Sequence, residues 1–194
     1  MSLPSLPPLS EEGNRRYKQI MDETLTAALV NLYLDQNGLL QQTGIALAKH
    51  LCQKFHSVAQ QLTRRHANRT TISITDEYDV QDILHAMLKI HFADIRSEEW
   101  TPSYAGGSAK VDFLLKNESV IIEVKKTRDG LGARELGDQL LIDIGRYQTH
   151  PDCKALLCFI YDPEERLANP QGLENDLSHE TNGINVQVFV GPKR

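Results

Sequence analysis

Cysteine is scarce in this chain and poorly spaced for chemistry. Cys52, Cys153 and Cys158 are odd in number and form no CxxC pair. Neither a disulfide framework nor a zinc site is expected, and a reducing cytoplasm suits such thiols best. Long apolar runs are also missing. None approaches the ~20 residues that a membrane helix requires, so no membrane partner is expected. The opening MSLPSLPPLS has neither a basic stretch nor an apolar core, so no export signal is read there. No internal repeat is visible.

An excess of positive charge is absent as well. The net charge is −5, and it is unevenly spread. Residues 1–75 hold eight Lys/Arg against five Asp/Glu, whereas residues 76–194 hold 13 against 21. An acidic domain binds nucleic acid poorly through its overall field. Any such contact must come from local patches or from a partner. Two basic patches are present, RRHANR at Arg64–Arg69 and KKTR at Lys125–Arg128.

What is present divides by period. Tyr17, Ile20, Met21, Leu25, Ala28, Leu29 and Leu32 recur at helical spacing. Asn37-Gly38 breaks that pattern. A second helical stretch carries Ile45, Leu47, Leu51, Phe55, Val58 and Leu62. The pair reads as an N-terminal helical hairpin. Past TTISI, Thr75 reads as a helix N-cap, with Asp76 and Glu77 in the favourable first turn. Val80, Ile83, Leu84, Met87 and Leu88 form the apolar stripe of that helix. The period then changes. A strand is expected near 95–100, then the two strands of VDFLLKNESVIIEVKK, a helix in GLGARELGDQLLIDIGRYQTH and an interior strand in KALLCFIYD. A short helix in NPQGLENDLSHE and a final strand in INVQVFV close the order. The division is a lead-in at 1–10, a helical region at 11–70 and a mixed α/β domain with a central sheet at 71–194.

The hairpin carries the chemistry. Side chains alternate faces along a strand, so Val120, Ile122 and Val124 point one way while Ile121, Glu123 and Lys125 point the other. Asp112 shares a face with Leu114 and can approach Glu123 across the hairpin. Two adjacent carboxylates repel unless a cation lies between them. A hard, oxygen-seeking ion such as Mg²⁺ suits that pair. A lysine beside it could orient a water or stabilise developing negative charge. Those parts suit metal-assisted phosphodiester hydrolysis. A cross-strand salt bridge from Glu123 to Lys125 or Lys110 accounts for the same residues without any catalysis. Asp152-Cys153-Lys154 repeats the acid-x-lysine spacing, but without an acid-bearing hairpin before it.

From Thr75 to Val190 the sequence resembles the PD-(D/E)XK nuclease superfamily. The segments DEYDVQDILHAMLKIHF, EEWTPSYAGGSAKVDFLL, VIIEVKKTRDGLG and GDQLLIDIGRYQTHPDCKALLCFIYDP resemble its DpnII/MboI-type branch. The resemblance implies a restriction-endonuclease-like αβββαβ core. It implies Asp112 and Glu123 as ligands of Mg²⁺ or Mn²⁺, and Lys125 as the catalytic lysine. Val111 stands where many members have proline. The resemblance also implies an acid on the first core helix. Glu77 ranks first there, ahead of Asp79 and the solvent-facing Asp82, although all three also suit the helix dipole. Gln139 matches a glutamine on the helix after the lysine strand, with Asp143 and Arg146 on its face. Lys126, Arg128, Arg134 and Lys110 are the expected contacts to nucleic-acid phosphates.

The implied activity is metal-dependent cleavage of DNA in bacterial restriction or phage defence, leaving a 5′-phosphate. A catalytically silent DNA-binding or scaffold subunit and an RNA-directed nuclease are the alternatives. About 75 N-terminal residues, mostly helical, leave little room for a dedicated sequence reader. They are the expected contact for self-assembly or a partner protein.

Overall fold

The computed structural model describes residues 10–36, 39–64, 66–102 and 109–193. Residues 1–9 of the lead-in read as 1–10, the expected break at Asn37-Gly38 and the glycines Gly106 and Gly107 lie outside these. The chain parts into two compact units, Met1–Leu40 and Gln41–Arg194. The first is described by one long helix, α1 (Glu11–Gln36). Ser10 starts it, its Oγ accepting from the Gly13 amide at 3.1 Å. Tyr17, Ile20, Met21 and Leu25 of its apolar stripe are exposed.

The second unit is built on a six-stranded sheet. After α2 (Leu39–Thr63) come α3 (Glu77–Leu88), β1 (Ile95–Trp100), β2 (Lys110–Leu115), β3 (Val120–Lys126), α4 (Ala133–Tyr147) and β4 (Ala155–Tyr161). Then follow α5 (Pro170–Leu177), β5 (Glu180–Thr181) and β6 (Ile184–Gly191). From α3 to β4 this is the expected αβββαβ order. The strands lie in the order β1-β2-β3-β4-β6-β5. β1, β2 and β3 pair antiparallel, β3, β4 and β6 parallel, and the two-residue β5 antiparallel to β6.

Alternation sorts β3 onto two cores. Val120, Ile122 and Val124 join Phe113, Leu157 and Phe159 under Val80, Leu84 and Leu88 of α3. Ile121 faces the other way, with Leu114, Leu156 and the stripe Leu136, Leu140, Ile144 and Tyr147 of α4. β4 is buried at every residue, as its unbroken apolar run requires.

α2 belongs to the first of these cores. Ile45, Ala48, Leu51, Phe55 and Ala59 pack there, and Phe55 meets Phe159 and Tyr161 edge-on at 5.4 and 4.8 Å. The compact units therefore part at residue 40, and the helical region read as 11–70 straddles that point. The physical reason is the apolar face of α2, which covers the sheet. The cap of α3 also differs by one residue. Asp76, not Thr75, is the N-cap, in a reciprocal capping box with Asp79. Among the described residues no helix is long and apolar enough to cross a membrane.

Candidate active site

The hairpin register brings the two acids together. Phe113 pairs with Ile122 and Leu114 with Ile121. One step further along the ladder, Asp112 falls opposite Glu123. Asp112 Oδ2 accepts the Val124 amide at 2.7 Å, and its Oδ1 accepts Gln81 Nε2 of α3 at 2.9 Å. Glu123 is almost wholly buried. Its Oε1 accepts Lys125 Nζ at 2.5 Å, and its Oε2 accepts the Tyr147 hydroxyl at 2.6 Å.

Lys125 stands at the centre of four carboxylates. Beyond Glu123, its ammonium lies 3.4 Å from Asp143 of α4 and 4.0 Å from Glu77 of α3. Asp112 is close enough for the Lys125 charge to act on it. One ammonium cannot neutralise four carboxylates, and the electrostatics follow from that. Burial pushes Asp112 up to about 7, against the opposing pull of the Val124 amide and Lys125. Burial and the Asp112 charge push Glu123 up to about 8. Burial likewise raises Glu77, with Lys125 opposing. For Lys125 burial works against the charge, but Glu123, Asp143 and Glu77 outweigh it and hold the ammonium protonated. An excess of buried oxygen donors is what a hard divalent cation relieves. The donor set therefore fits such an ion.

The three ranked acids of α3 separate cleanly. Glu77 faces Lys125. Asp79 is consumed locally, accepting from Thr75 N, Thr75 Oγ1 and Asp76 N, and those bonds lower it. Asp82 lies on an apolar surface groove with Val58, Leu62 and Ile90. A cleft of about 340 Å³ opens over Lys125, lined also by Glu77, Tyr78, Lys126, Arg128 and Gln139.

The expected phosphate contacts divide too. Arg128 and Arg134 are exposed, and Arg128 borders the cleft. Lys126 is nearly buried, 3.3 Å from the Thr127 carbonyl and 3.6 Å from Glu164. Lys110 pairs with Glu98 at 2.9 Å and lies 5.2 Å over the Trp100 ring.

Gln81, Asp143 and Tyr147 touch the central groups without having been assigned roles from sequence. The signals were weak but present. Gln81 is one turn past Glu77. Tyr147 lies three residues past Ile144 on a buried stripe, where a hydroxyl must find a partner.

A second group of metal-capable side chains, Glu99, His150 and Asp152, lies within 4.8 Å of one another. His150 Nδ1 already accepts the Asp152 amide at 3.2 Å. Asp152 also pairs with Lys116.

A mixed sheet in αβββαβ order, with an acid on each hairpin strand and a lysine two residues beyond the second, defines the restriction-endonuclease-like class of nuclease folds. Within that class the chain belongs to the DpnII-MboI restriction endonuclease family, whose model matches residues 46–193. Comparison with curated proteins gives no match.

Proposed function

We propose that the protein is a Mg²⁺-dependent endonuclease that hydrolyses DNA phosphodiester bonds, acting in bacterial restriction or phage defence in the cytoplasm. The observation that carries this reading is the convergence of Asp112, Glu123 and Lys125, the last of which lines an open cleft. Asp112 and Glu123, with Glu77 as a third acid, would hold the ion. Bound there, Mg²⁺ or Mn²⁺ supplies Lewis-acid polarisation of a phosphoryl oxygen and a more acidic water.

The chain's own groups do the rest. Gln81 and the Val124 amide fix Asp112 from two sides. Lys125, paired with Glu123 and Asp143, is placed to donate to negative charge developing on phosphate, or to orient the attacking water. Gln139 borders the cleft within reach of a bound water or phosphate. Arg128 and Arg134 are exposed and suit contacts to backbone phosphates. Lys126 and Lys110 reach phosphate only by leaving Glu164 and Glu98. The exposed apolar residues of α1 suit self-assembly or a partner protein.

The test is incubation of pure protein with duplex DNA, single-stranded DNA and RNA, in Mg²⁺ or in EDTA. Duplex cleavage with Mg²⁺ and none with EDTA is expected, with Lys125→Ala slower by about 100-fold or more. Cleavage of RNA alone would replace the substrate, and no cleavage of any of them would favour a binding subunit.

A further inference from the structure

We propose that Tyr147 is a positioning residue of this site. Its hydroxyl holds the second oxygen of Glu123, so that the carboxylate meets a divalent cation in one orientation. The inference rests on the reading that Asp112 and Glu123 hold such an ion.

A glutamate has three side-chain torsions, and its carboxylate can turn even when buried. Glu123 is held at both oxygens, but by partners of different kinds. Lys125 on Oε1 is shared with Asp143 and Glu77, so it can shift when charge at the site changes. Tyr147 on Oε2 cannot follow. Its ring is 2% exposed and packs on the α4 stripe with Leu140 and Ile144. The same hydroxyl lies 3.2 Å from the Lys110 carbonyl on β2, two residues before Asp112. It therefore sits between the two strands that carry the acids. It has one proton and two acceptors, and the closer acceptor is Glu123 at 2.6 Å. Each carboxylate oxygen keeps a further lone pair for a cation. A tyrosine that merely needed a partner would be satisfied by the Lys110 carbonyl alone.

The test is calorimetric titration of Mn²⁺ into the metal-free, full-length protein without DNA. Wild type, Tyr147→Phe and Ile144→Val are compared. The first variant removes only the hydroxyl. The second trims the same buried stripe one turn away and touches no charged group. Tyr147→Phe is expected to weaken Mn²⁺ binding by about 10–100-fold. Ile144→Val should bind as wild type does. At saturating Mn²⁺, Tyr147→Phe should keep the wild-type KM for duplex DNA. Unchanged Mn²⁺ affinity in Tyr147→Phe, or equal weakening in Ile144→Val, overturns the positioning role. If wild type itself binds no Mn²⁺, the cation reading falls, and the inference with it.

Discussion

Asp112 and Glu123 hold protons more tightly when folded than when unfolded, because burial raises both. Between the ordinary carboxylate range near ~4 and their raised values, the native state binds more protons than the unfolded chain. Their stabilising contribution is therefore complete at low pH and is lost as pH rises through about 7 to 8. Metal-free protein should show a urea midpoint that falls from about pH 4 and levels off above about 8, each pKa unit being worth about 1.4 kcal/mol. Glu123→Gln should flatten the decline. Its amide can still accept from Lys125 and donate to Tyr147 without a charge. Asp143 bears on Lys125 instead. Asp143→Asn should lower the single-turnover rate by about 10-fold or more at saturating Mg²⁺, as loss of an orienting neighbour commonly does. At this scale the acids and the lysine were legible, because a two-residue period puts Glu123 and Lys125 on one face. Gln81 and Tyr147 were not assigned, because hydrogen bonds spanning 31 and 24 residues leave no local pattern.

Two contacts between elements hold the hairpin in place. α2 approaches the β2–β3 turn through Gly44, where an added Cβ would lie 2.7 Å from both Cβ and Cγ of Glu118. Glycine to alanine inside a helix ordinarily stabilises by about 1 kcal/mol. Here Gly44→Ala should instead destabilise by about 1–3 kcal/mol, as overpacking does, and thermal unfolding reads the sign directly. At the far end of β3, buried Asp162 accepts from Thr127 Oγ1 at 2.7 Å and from the amides of Arg166 and Leu167 at 2.9 and 3.0 Å. Asp162→Ala strands three donors and should cost about 3 kcal/mol in a denaturant titration. Asp162 was visible in the sequence only as the end of an apolar run. The main helices and strands followed from period, and β4 from its unbroken apolar run. β5 did not, since two residues bridging β6 have no period. The site of α2 was hidden for another reason. Its apolar face was legible, but an apolar face does not name the surface it covers.

Residues 41–194 close their own core, and the family match begins at residue 46. A chain lacking residues 1–40 should therefore keep its fold. At this size a change under about 1 kcal/mol moves Tm by only roughly 2–4 °C. If α1 serves self-assembly, light scattering should find the full chain heavier than a monomer and the shortened one monomeric. The whole chain carries a net charge of −5, so the proposed DNA contact must be local, at the cleft that Arg128 borders. In the proposed reading, Asp112 and Glu123 would hold one cation beside Lys125 for DNA cleavage. Its most direct test is the Mg²⁺ dependence of single-turnover duplex cleavage by wild type and Glu123→Gln. Wild type should show a saturable rise that EDTA abolishes, and Glu123→Gln should show no cleavage at any Mg²⁺ concentration that saturates wild type. Wild-type cleavage in EDTA, or a Glu123→Gln curve that overlays wild type, would overturn the shared cation.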